Sequence, residues 1–249
     1  VNYFKVTALA VLLPACFSAT LAHANPLTLG ASVIYSQSPY KGGEGRYYPV
    51  PLINYDGDSF YLHSLQAGYY LWKDQQDQLS LTILGSPQNF NTDDTKNKQL
   101  KKLDNRHMTL MGGLAYRHVA NWGIVRTVLA GDMLGNSDGY QWDLAYLYRF
   151  QMGDFSLTPG IGALYSSSNQ NDYYYGVSKA ESRRSGLGSY EADDSWNPYL
   201  EMTAAWSINQ NWNATLSGRY TRLSSEVKNS PMVDRDSQVA VWTGISYTF

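Results

Sequence analysis

One cysteine, Cys16, occurs in 249 residues, and it falls in the first two dozen of them. If that stretch is a leader that is removed, no thiol remains, which excludes disulfides and thiolate-based metal sites. A chain that crosses an oxidising periplasm while unfolded avoids disulfide trapping in this way. Charge of one sign is also missing. Lys+Arg number 19 against Asp+Glu 21, with 16% charged residues overall, so no field draws the chain to nucleic acid or to an anionic surface. The apolar run near residues 6–13 is short and ends at Pro14, whereas a membrane-crossing helix needs about 20 apolar residues. Histidine is scarce, and neither a His-rich metal cluster nor a Gly-rich phosphate loop is present.

Aromatic residues are plentiful: 21 Tyr and 7 Trp contribute to a 14% aromatic content, although the mean hydropathy is only -0.38. The two ends of the chain supply a context. The N-terminal segment has Lys5, an apolar run and then Ala22-His23-Ala24, a small-x-small cleavage pattern that predicts a signal peptide over 1–24 and a mature domain over 25–249. A lipoprotein signal centred on Cys16 is the rival, weakened by Pro14. At the other end, "VAVWTGISYTF" places Val239, Val241, Thr243, Ile245, Tyr247 and Phe249 on one strand face. Tyr247 and Phe249 resemble the terminal signal by which outer-membrane barrels are handed to the barrel-assembly machinery.

Segments of about ten residues with alternating polarity fill the chain between, separated by turn residues. In "YQWDLAYLYRF", Tyr140, Trp142, Leu144, Tyr146, Tyr148 and Phe150 point one way and Gln141, Asp143, Ala145, Leu147 and Arg149 the other. Trp196, Leu200, Met202 and Trp206 oppose Asn197, Tyr199, Glu201 and Thr203 in the same manner. A lipid-facing outside and a polar inside account for both rows and for the low mean hydropathy. Strands in lipid must close on themselves, because an open edge would leave amides unpaired. The pattern therefore predicts an all-β fold, a transmembrane antiparallel β-barrel with a monomeric wall, long extracellular loops, and no helix beyond a turn or two.

Eleven strands are read directly, over 27–37, 47–55, 59–72, 78–88, 106–118, 123–133, 140–151, 155–166, 196–208, 212–223 and 238–249. Single-chain barrels have even numbers. Either 27–37 lies outside the wall, giving 10, or 59–72 breaks near His63–Gln66, giving 12, which is the preferred count.

Catalytic groupings, as a lipid-modifying barrel enzyme would need, find little support. His63 and Ser64 are neighbours in sequence, but strand alternation turns them to opposite faces unless the strand breaks there. The inward row carries Arg126, Asp143, Arg149, Glu201 and Arg219, read either as a selective lumen or as a paired charge network filling a small barrel. Lys96, Lys98, Lys101 and Lys102 are candidates for contact with lipopolysaccharide phosphates, or form a solvated loop. In "DYYYGVS", pairing continued above the membrane puts Tyr173 and Tyr175 on one face and Tyr174 on the other. Arg183, Arg184, Glu181 and Asp193 then become candidates for ion pairs that hold a lid, with an aromatic ligand wall as the alternative.

"NQNDYYYGVSKAESRRSGLGSYEADDSWNPYLE", with "SPYKG", "YPVPLINYDGDSFY", "YYLW", "LAGDMLGNSDG", "LTPGIG" and "NSPMVD", resembles the MipA/OmpV family of Gram-negative outer-membrane proteins. The resemblance implies a non-enzymatic barrel in the cell outer membrane, in contact with its lipids and lipopolysaccharide. For the best-known member it implies a scaffold between a lytic transglycosylase and a bifunctional penicillin-binding protein in murein (peptidoglycan) growth. Other members are associated with adhesion or with antibiotic and osmotic stress, which leaves a small channel or ligand-binding barrel as the alternative. It implies no cofactor and no catalytic residue.

Overall fold

The computed structural model describes residues 27–249; the predicted leader, with Cys16, lies outside the described residues. Thirteen strand segments form one antiparallel sheet: β1 (Leu27–Ser36), β2 (Arg46–Asp56), β3 (Phe60–His63), β4 (Gln66–Lys73), β5 (Asp77–Ser86), β6 (Thr109–Ala120), β7 (Gly123–Asp132), β8 (Tyr140–Leu147), β9 (Phe150–Met152), β10 (Phe155–Ser166), β11 (Ser195–Ser207), β12 (Trp212–Arg222) and β13 (Ser237–Thr248). β8 and β9 are two pieces of one wall strand, interrupted at Tyr148–Arg149 and both paired with β10. The wall thus has twelve strands. β10 pairs with β11 and β13 pairs with β1, so the sheet closes.

Alternation builds this wall residue by residue. Along β8 every odd position is buried and every even one exposed: Asp143 is 1% exposed, whereas Trp142 and Leu144 are each 40% exposed. Apolar side chains that would be a liability in water are at home in lipid, while the polar row fills the inside. Periplasmic turns are tight. Gly153, at φ 61°, takes the left-handed conformation needed between β9 and β10.

The 59–72 segment breaks where the twelve-strand count requires. β3 and β4 form a short hairpin whose tip, Ser64–Leu65, stops partway up the wall, with Ser64 at φ 48°. A backbone turn in lipid must have its polar groups satisfied. Ser64 N–H donates to Ile53 O (2.7 Å), Ile53 N–H donates to Ser64 Oγ (3.3 Å), and Gly85 N–H donates to Leu65 O (3.0 Å).

The largest apolar cluster lies above the barrel, in its extracellular connections. Tyr40, Phe90, Leu100, Leu103, Tyr174, Val177, Val227 and Met232 pack there, with Leu100, Tyr174 and Met232 fully buried. Of the three helices there, α1 (Ser168–Tyr175) and α3 (Ser225–Lys228) contribute to it, while α2 (Lys179–Ser185) buries only Glu181 and Ser185. The expectation of a strand through "DYYYGVS" is therefore corrected. Ser167 accepts from Gln170 N–H, and Ser178 and Glu181 form a reciprocal capping box, so local start signals favour helix.

Candidate functional site: lumen and cap

Four of the five charges read as inward come together in the lumen. Arg126 on β7 reaches Glu201 Oε2 on β11 at 3.3 Å and lies 3.7 Å from Asp143 on β8. Arg219 on β12 meets the same Glu201 oxygen at 2.7 Å. The Tyr199 hydroxyl donates to both Asp143 oxygens, at 3.0 and 2.9 Å, and the Arg219 guanidinium stacks over its ring at 4.0 Å. Gly162 opposite Tyr199 makes the room, since a Cβ there would meet the tyrosine ring at 2.4 Å. Two guanidiniums face two carboxylates here, and their pairs link neighbouring and more distant strands across the lumen.

Arg149 is not part of it. It is exposed at the interruption between β8 and β9, where its Nε donates to Gln151 at 3.1 Å. The reason is local: β7 ends opposite Leu147, and beyond that point the wall strand no longer alternates between two faces.

A second lumen group had no signal in the charge pattern, because aromatic hydroxyls carry it. The Tyr61 hydroxyl lies 3.2 Å from Ser80 Oγ and donates to Thr82 at 3.0 Å, and His63 stacks on the Tyr61 ring at 4.7 Å. Tyr70 donates to Asp56 at 3.0 Å, and Lys73 pairs with the same carboxylate at 2.6 Å. Ser64, next to His63, sits at the hairpin turn at φ 48°, where its Oγ accepts from the Ile53 amide at 3.3 Å. His118 contacts Asp77 at 2.7 Å at the periplasmic end, where Tyr116 donates to the same oxygen at 2.6 Å. Among the described residues, no cluster of His, Cys, Asp or Glu is arranged to hold a metal.

The tyrosines of "DYYYGVS" hold the cap. Tyr174 donates to His107 O at 2.8 Å, and His107 N–H donates to Tyr173 at 2.8 Å, so the pair clasps the chain entering β6. Tyr40 donates to Tyr174 O at 3.1 Å, and Gln88 donates to the Tyr175 hydroxyl at 3.0 Å. Burial raises the pKa of Tyr40, Tyr174 and Tyr175 above the ordinary tyrosine range. Tyr174→Phe should cost the cap about 1 kcal/mol and Tyr174→Ala about 3–5 kcal/mol, read as faster amide exchange in α1.

Of the four residues expected in ion pairs of this lid, Glu181 and Arg184 form them, with each other at 3.9 Å and more closely with partners on the β5–β6 connection. Glu181 pairs with Arg106 at 2.9 Å, both buried, and accepts from Asp104 N–H at 2.9 Å and Ser178 N–H at 3.0 Å. Arg184 pairs with Asp104 at 2.5 Å. Arg183 is exposed, and Asp193 acts through its backbone, its carbonyl accepting from Asn171 at 2.7 Å. Arg106 was not singled out in the sequence, where it reads as the first residue of the strand over 106–118; the structure starts that strand at Thr109. At the chain's far end, Tyr247 lies opposite Leu29 in the seam, and its ring contacts Phe249 at 4.9 Å.

Comparison with known proteins sets this geometry in a family. The family model described as MltA-interacting protein MipA matches residues 29–249. The MltA-interacting protein of Escherichia coli K12 is 48% identical over 246 residues, covering 98% of each chain. Outer membrane protein Omp26La of Vibrio anguillarum is 31% identical over 171 residues, 69% of this chain and 65% of its own. Outer membrane protein OmpV of Vibrio cholerae is 28% identical over 197 residues, 79% and 76% of the two chains. Among solved structures, an outer membrane channel of Pseudomonas putida F1 aligns with a TM-score of 0.44 and 9% identity, over 92% of this chain and 97% of that one. The protein is a twelve-stranded barrel of the outer membrane, and the chain belongs to the MltA-interacting protein family.

Proposed function

We propose that this barrel is a non-enzymatic interaction protein that docks murein-remodelling enzymes at the inner face of the outer membrane. The observation that carries the reading is the 48% identity, over 98% of both chains, to a protein named for its interaction with MltA. The lumen supports it: Arg126, Glu201 and Arg219 tie strands together across the interior, and the cap packs above. A braced and capped barrel serves as a platform better than as a pore.

The periplasmic rim offers an apolar element. β9 pairs with β10 alone, and Phe150, Met152 and Phe155 are 49%, 53% and 38% exposed on that hairpin. In cells treated with a cross-linker, the protein should co-purify with a membrane-bound lytic transglycosylase and a bifunctional penicillin-binding protein, and Phe150→Asp should reduce the yield. Recovery of neither enzyme would overturn the reading. In planar bilayers the purified barrel should give no stable conductance steps; regular steps would favour a channel.

A further inference from the structure

The wall has a notch. β3 pairs with β2 only at Asn54, Tyr55 and Asp56, yet β2 continues seven residues past Ile53 to Arg46, ~23 Å along the strand at about 3.3 Å per residue. Along that length the edge of β2 turned away from β1 has no strand partner, and β5, the next wall strand on that side, is not paired with it.

The sequence of that edge is adapted to lacking a partner. Ile53 directs its N–H and C=O toward the hairpin tip, as the bonds to Ser64 show. By period-two alternation Pro51 and Pro49 face the same way. Both lack the N–H that would otherwise be stranded in hydrocarbon. Across the notch, Gly85 of β5 faces the tip, and Pro87, two residues on, continues that series just past the strand end. Prolines on an open edge also bar an added β-strand, because the ladder donors are gone.

Exposure agrees. Tyr47, at 73%, is the most exposed large apolar side chain among the described residues. On the inner face Tyr48, Val50 and Leu52 are only half-buried, whereas Ser32, Ile34 and Ser36 on β1 are buried. A cavity of about 60 Å³ lined by Ser36, Arg46, Tyr48, Asn89, Phe90 and Asp94 meets the upper end of the notch. Above it, the β5–β6 connection is tied to β2 by the Arg46–Asp94 pair at 2.6 Å and carries exposed Lys98, Lys101 and Lys102, together with Lys96, which is paired with exposed Glu44.

We propose that this notch is a lateral site for lipid A, with one acyl chain seated between β2 and the β3–β4 tip and the phosphates met by the lysines above. The medium at that depth is hydrocarbon, so an acyl chain is what the gap meets. The lysines complement a phosphorylated headgroup at the level where the outer leaflet presents one.

The test uses the full-length barrel with a bimane fluorophore on Val50→Cys or Leu52→Cys, both facing inward at the notch. Leu114→Cys reports the lipid face, and Thr203→Cys an inward position behind paired wall. Heat-modifiable migration on gels identifies folded variants, and the two notch positions give independent readings. In brominated phosphatidylcholine bilayers the notch reporters should lose fluorescence as Leu114 does, while Thr203 should not. Adding unbrominated lipopolysaccharide should restore the notch signal, an equal amount of phosphatidylglycerol should not, and glutamine at the four lysines should abolish the difference. Notch reporters as unquenched as Thr203 would show a closed wall. Equal restoration by both lipids would overturn lipid A as the occupant.

Discussion

Glu201→Ala is expected to lower the unfolding free energy of the barrel by about 3–5 kcal/mol, the range for removing one partner of a buried ion pair. One Glu201 oxygen serves both Arg126 and Arg219, and its side chain is only 2% exposed. Its removal leaves two guanidiniums in a closed lumen with Asp143 as the remaining carboxylate of the group, already engaged by Tyr199. Truncating the opposing cation should relieve part of the defect, so Glu201→Ala with Arg219→Met should be more stable than Glu201→Ala alone. Denaturant unfolding in detergent, followed by tryptophan fluorescence, measures both. A loss below about 1 kcal/mol, the range of solvated pairs, would show that water already serves these groups.

Glu181→Ala is the second large effect, and it is local. Glu181 closes the capping box of α2 and is the buried partner of Arg106, so its loss combines about 1 kcal/mol of capping with the ion-pair penalty. A seven-residue helix has little stability of its own. If about 3 kcal/mol is lost, local opening rises roughly a hundredfold, and trypsin should cut after Arg183 or Arg184 in the variant while the wild-type loop resists. Unchanged cleavage would mean that the tyrosine clasp alone holds the cap.

Acid should weaken the same contact. Burial opposes ionisation of Glu181, but the Asp104 and Ser178 amides and the Arg106 guanidinium outweigh it and hold the carboxyl below the usual glutamate range. A depressed carboxylate contributes stability that is present above its unfolded value and lost as pH falls through its folded one. Amide exchange in α2, corrected for intrinsic rates, should therefore be flat from neutrality down to the ordinary glutamate range and accelerate below it. Glu181→Gln should remove that dependence.

Period-two alternation made the wall legible, because lipid outside and polar side chains inside impose it on every spanning strand. The break near His63 came instead from parity, since eleven readable segments cannot close a single-chain barrel. Alternation could not show that Arg126 and Arg219 share Glu201, which depends on register and on reach across the lumen. It misplaced Arg149 because alternation ends where the neighbouring strand does. The cap was less legible still. Tyr173, Tyr174 and Tyr175 read as strand by propensity, and a short helix enclosed on several sides has no single apolar stripe to betray it. The usable signal was Ser178 followed three residues later by Glu181.

The seam between β1 and β13 bears on how the chain acquires its shape. Thr28 and Thr248, hydrogen-bonded at 2.9 Å, are 220 residues apart in sequence, and Phe249 N–H reaches back to Leu27 O at 3.0 Å. Closure therefore waits for the last strand to arrive, and a ladder formed earlier has two open edges. Such a chain cannot complete its fold progressively from its first residues onward. It must be kept from aggregating until β13 can close the ring, so the contacts of the first strand's outer edge are the last to form.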